Sequence, residues 1–187
     1  MKAILTLGMA LAAGIDAYSA ECVVVELGNP TAVPPQVLLR AKDVAASIFA
    51  GIGVELRWSV KGHRKAAGCS MRVEVELETS DGPEDRPGVL AYASVGIEAD
   101  KRVHVFVDRV NAMVPALDRA ALLGHVLAHE ITHILEGVAR HSDAGVMKAR
   151  WEARELRELG RRPLRFQLVD QALIHAGLIH AGLAAIE

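Results

Sequence analysis

The stretch "HEITHILEGVARHSDAGVM", residues 129–147, holds two histidines in H-E-x-x-H spacing, and a third, His141, follows His133 by eight positions. At about 100° per residue, a helix places His133 about 40° from His129, one turn on along the same face. Leu123, Leu127, Ile131 and Ile134 fall on a separate apolar stripe. The spacing therefore predicts a helix with a core side and an imidazole side. Two imidazoles one turn apart can converge on a single ion at about 2.0–2.1 Å. Glu130 lies about 100° round the helix, too far to be an easy ligand but within reach of a water on the ion. Zinc lowers the pKa of such a water toward neutrality, and a carboxylate can take its proton as it attacks a carbonyl. The residues thus point to one catalytic Zn²⁺, His129 and His133 as ligands and Glu130 as general base.

A catalytic zinc keeps three protein ligands and one open position, so a third ligand is needed. His141 is the candidate. Gly137 can adopt the left-handed conformation that ends a helix, letting "VAR" swing back toward the ion. Asp143, two residues on, and Glu152 or Glu155, on a further helix, are the alternatives.

This stretch resembles the metzincin branch of zinc peptidases, the matrixin-like members in particular. Their H-E-x-x-H-x-x-G-x-x-H motif is often followed by Ser and then by a Met that turns the chain beneath the metal. His129, Glu130, His133, Gly137, His141, Ser142 and Met147 answer to that order, with Gly137 one residue late and His141 one further residue late. "GVLAYAS" followed by "VHVFVD" is similar to the edge strand and next strand that precede the active-site helix in matrixins. The resemblance runs from Gly88 to Met147. It implies a small α+β zincin-like domain whose mostly antiparallel or mixed twisted sheet packs on an N-terminal helix and the H-E-x-x-H helix. It further implies a zinc endopeptidase, with Met147 supporting the base of the site. Leu90, Ala91, Tyr92 and Ala93 would form a substrate-binding edge strand that takes an extended peptide or protein segment by strand addition.

The rest of the chain fits one domain. Its 187 residues suffice for a real core, and 51% hydrophobic, 24% charged and a net charge of -2 are ordinary globular values. No basic-aromatic run suggests nucleic acid, and "RELGRRPLR" reads as a solvated helix end. Residues 1–19 read as a secretory signal: Lys2, then "AILTLGMALAAGI", then small residues that allow cleavage after 19 or 20. The catalytic domain is then 20–187, secreted or periplasmic, with no membrane span in the mature chain. Export to an oxidising compartment favours a Cys22–Cys69 disulfide closing a loop of 47 residues.

Alternation and breakers predict strands at "CVVVELG", "VELRWSV", "MRVEVELE", "GVLAYASVG" and "RVHVFVDRV". Helices are expected from Pro35 to the Gly51–Gly53 stop, over Pro115–Glu136, over Lys148–Leu159, and through "DQALIHAGLIHAGLAA". His104, His125, His175 and His180 read as structural or surface residues, Tyr92 as a packing residue, and Trp151 as packing under the site. Two competing functions are a zinc hydrolase acting on a non-protein or cell-wall amide, and a non-catalytic protein stabilised by zinc.

Overall fold

The structure is a computed structural model, and it describes residues 21–28, 32–61, 68–79, 88–96 and 101–184. The secretory signal and its cleavage point lie outside the described residues. Ten elements follow one another: β1 (Cys22–Gly28), α1 (Pro35–Ala50), β2 (Glu55–Val60), β3 (Met71–Glu78), β4 (Ala91–Ala93), β5 (Arg102–Phe106), α2 (Val107–Met113), α3 (Arg119–Glu136), α4 (Ala153–Glu158) and α5 (Leu168–Ala184).

The five strands form one mixed sheet in the order β2-β1-β3-β5-β4. β1 pairs in parallel with β2 and β3, β3 pairs in parallel with β5, and β4 alone is antiparallel, against β5 at the sheet edge. The expected mixed sheet is thus present, and parallel pairing predominates in it. Register explains its two faces. Val23, Val25 and Leu27 share a face with Met71, Val73, Val75 and Leu77, and with Val103 and Val105, all buried. The opposite face carries Glu26, Arg72, Glu74, Glu76, Glu78, Arg102 and His104, bound into ion pairs such as Glu26–Arg72 and Arg102–Glu74. Period-two alternation in "MRVEVELE" therefore separates the core from a charged outer surface.

Helices α1 and α3 cover the apolar face. They approach closely because Gly124 has no side chain: a Cβ there would sit 2.6 Å from the Cβ of Val44 and 2.7 Å from the carbonyl oxygen of Ala41. Cys22 and Cys69 are bonded as expected, tying the start of β1 to the segment before β3.

Several element boundaries differ from the sequence reading, among them the strand expected over "GVLAYASVG", which contracts to Ala91–Ala93. "RVHVFVDRV" stops being a strand at Phe106, and α2 begins at once. Beyond that point the buried residues are Val107 and Val110, a helical spacing, and Asp108 favours a first helical turn. The H-E-x-x-H helix starts at Arg119 rather than Pro115, because Pro115–Asp118 closes a turn through the Asp118 N–H and the Pro115 carbonyl. The helix expected over Lys148–Leu159 contracts to α4, since Glu152 and Glu155 form a capping box that fixes its start. Among the described residues no helix is long and apolar enough to cross a membrane.

Candidate metal centre

Every α3 residue from Ala121 to Leu135 is buried, so its imidazole side faces a cleft within the molecule and not bulk water. His129 and His133 sit there at 8% and 6% exposure. The Nδ1 of His129 faces the Val146 carbonyl at 2.8 Å, and the Nδ1 of His133 faces the Val138 carbonyl at 3.2 Å. A carbonyl only accepts, so each Nδ1 carries the proton of a neutral imidazole and each Nε2 presents a lone pair. Burial, opposed in part by the Val146 carbonyl, lowers the His129 pKa to about 4, and burial likewise lowers that of His133. Both rings are therefore neutral at pH 7.

The two Nε2 atoms then face each other at 3.1 Å. Two lone pairs at that distance repel, and no proton lies between them to make a hydrogen bond. A shared cation resolves the conflict: at about 2.0–2.1 Å from each nitrogen, a tetrahedral zinc holds its ligand atoms about 3.3 Å apart. The donor set fits the metal.

His141 joins them. One ligand atom from each of the three histidines lies within 4.8 Å of the other two. His141 arrives on the loop after Gly137, whose φ of 67° ends α3 in the left-handed region while its N–H binds the His133 carbonyl. Unlike the other two, His141 is exposed, and among the described residues no hydrogen bond fixes its ring. The alternatives are placed elsewhere. Glu155 accepts the Glu152 N–H at 2.7 Å, both carboxylates bind Lys148, and exposed Asp143 stands outside the histidine group.

Glu130 is buried on the same cleft, and burial pushes its carboxyl up to about 8 in the metal-free site. A divalent cation close by would favour the carboxylate instead. The cleft measures about 610 Å³ and runs along β4, the last strand of the sheet, taking in Gly88–Ala93, the three histidines, Lys148 and Arg150. Its apolar wall includes Met113, Val126, Trp151 and Leu156. The run Leu90–Ala93 thus borders the same cleft as the three histidines. The Tyr92 ring itself stacks on His104 at 4.7 Å, a packing role as the sequence suggests. Arg109 of α2 steadies the approach to this strand, donating to the Val89 carbonyl at 2.7 Å.

Met147 is wholly buried in the turn after His141, where its carbonyl accepts the Ser142 N–H at 2.8 Å. The carbonyl before it, of Val146, is the one that orients His129. His125 is structural: its Nδ1 meets the Ala121 carbonyl and its Nε2 accepts the Leu164 N–H. Trp151 packs edge-on against both His125 and His129. His175 contacts Glu21 at 2.5 Å.

The sequence reading misses Arg140 and Asp170. The Arg140 guanidinium donates to the Asp170 carboxylate at 2.8 and 2.9 Å and to the Ser142 hydroxyl at 2.8 Å. Asp170 lies 30 residues downstream on another helix, a pairing no local spacing encodes.

The sequence matches no protein-family model and no curated protein. The fold does match that of solved structures, among them archaemetzincin (AmzA) from Methanopyrus kandleri. The match has a TM-score of 0.53 at 16% identity and covers 88% of this chain and 99% of that one. At that identity it establishes the fold, a single mixed α/β domain of zincin type.

Proposed function

We propose that this chain is a secreted zinc-dependent endopeptidase of a divergent metzincin type, with one Zn²⁺ held by His129, His133 and His141. The observation that carries the reading is the pair of unprotonated Nε2 atoms 3.1 Å apart, beside a buried glutamate in a cleft. Bound zinc would supply Lewis acidity, polarising a carbonyl and bringing a water within reach of deprotonation at neutral pH. Glu130 takes that proton and passes it to the leaving amine. β4, the last strand of the sheet, aligns an extended peptide along the cleft by strand pairing. Buried Met147 underlies the turn whose Val146 carbonyl orients His129. Three protein ligands leave a fourth position open, which supports catalysis over a purely structural zinc. The Cys22–Cys69 bond supports an oxidising destination, with residues 1–19 as the secretory signal.

The test is Glu130→Ala. Zinc content should stay at one per chain while cleavage of a peptide library disappears. If the wild-type protein binds zinc yet cuts no peptide and instead cleaves cell-wall amides, the fold and metal centre stand and the substrate class is wrong.

A further inference from the structure

We infer that Asp170 is a positioning residue for the metal centre: through Arg140 and Ser142 it holds the loop that presents His141. The inference rests on the reading of the three histidines as zinc ligands. Arg140 and Ser142 are the residues immediately before and after His141. Both bind one oxygen of the same carboxylate. Asp170 Oδ1 accepts two guanidinium N–H bonds from Arg140, at 2.9 and 2.8 Å, and the Ser142 hydroxyl at 2.6 Å. The other oxygen accepts the Gln167 N–H at 2.8 Å, which caps α5 at its third residue.

The division of labour matters. Capping α5 requires only Oδ2, yet Asp170 is completely buried, and a buried carboxylate is costly unless its charge is paired. Arg140 supplies the pairing, and it does so next to His141. Arg140 also approaches the Glu136 carboxylate at 3.4 Å, so the clamp reaches back to the last turn of α3. His129 and His133 are aligned by direct bonds to their own rings. His141 has no such bond among the described residues, and its backbone is fixed on both sides instead. The longer turn after His133 makes this necessary, because extra loop residues add freedom that must be removed before the third ligand can arrive.

The experiment is a double-mutant cycle on zinc affinity, read by competition with a chelator of known affinity. Asp170→Asn keeps the side-chain shape and removes the charge; it should weaken zinc about tenfold in the wild-type background. In a His141→Ala background the same change should alter affinity by less than about twofold. A residue that merely staples the fold would weaken both backgrounds alike, and that result would overturn the clamp, as would undiminished affinity in Asp170→Asn. Near-UV circular dichroism of the metal-free proteins checks folding. If Asp170→Asn fails that check, Ser142→Ala decides: it removes one of the two flanking bonds and should cost about fivefold, again only where His141 is present. A wild-type chain that takes up no zinc would instead sink the metal reading and the clamp together.

Discussion

The proposed metal centre joins two unlike regions. Its helical half, His129 and His133, is buried, has its tautomers fixed by carbonyls, and stands on an element packed against the sheet. Its loop half, His141, is exposed and leans on neighbours that are themselves anchored to α5. One half is preorganised by regular structure and the other by side chains distant in sequence. Ligand geometry on a helix follows automatically from its pitch, whereas ligand geometry on a loop has to be enforced bond by bond.

The largest expected effect lies on the helical side. Glu130→Gln should lower peptide hydrolysis by about 10²–10⁴-fold with zinc retained, since a general base contributes on that scale. Steady-state kinetics beside a zinc assay would show it. Loss of zinc together with activity would mean that Glu130 acts as a ligand, and the assignment of roles would fall.

Next in size is the asymmetry between ligands. Structural zinc affinities of about 10–16 kcal/mol imply roughly 3 kcal/mol per ligand, or about two orders of magnitude in affinity. His129→Ala and His133→Ala should each show a loss of that order. His141→Ala should cost less, about tenfold, because part of its binding energy is spent ordering an exposed loop. Equal losses at all three positions would erase the distinction drawn above.

Acid probes the helical half from within. The folded His129 pKa of about 4 lies below its unfolded value, so the unfolded chain takes the proton first. That contribution is fully present above pH of about 6.5 and is lost as pH falls toward 4, about 3 kcal/mol in the metal-free protein. Glu130 has the opposite sign: its pKa is raised to about 8, so its contribution is present at low pH and is lost as pH rises through 8. Urea titrations of the zinc-free proteins should thus show wild type losing stability relative to Glu130→Gln as pH rises from about 4.5 to 8. Glu130→Gln removes that slope alone, leaving those of the lowered imidazoles and of the raised Glu136 carboxyl in both proteins. Profiles that differ by a constant across that range would contradict the protonated, buried state of Glu130.

What could be read in advance follows the same line. The H-E-x-x-H helix, the alternating strand "MRVEVELE" and the Gly137 stop are written in local spacing, and they fold as spaced. The expected third ligand joins the cluster as well. Boundaries failed where one pattern hands over to another: Val107 continues an alternation while already starting a helix, and Glu152 looks like a metal ligand while serving as a cap. The Arg140–Asp170 pairing was invisible because nothing within a few residues of His141 asks for an aspartate 30 positions on.

The smallest effect tests the joint between the halves. Gly137 holds φ at 67°, and a Cβ there would meet nothing within 4 Å, so a side chain costs only the left-handed backbone. Gly137→Ala should therefore lose about 1 kcal/mol of stability, and Gly137→Asn less, since Asn tolerates this region better. Zinc affinity should follow the same order, because His141 reaches the ion only if the chain turns at this residue. If Gly137→Ala keeps full affinity while losing that stability, the clamp at Asp170 alone suffices to place His141. If affinity falls as far as in His141→Ala, the turn and not the clamp sets the loop.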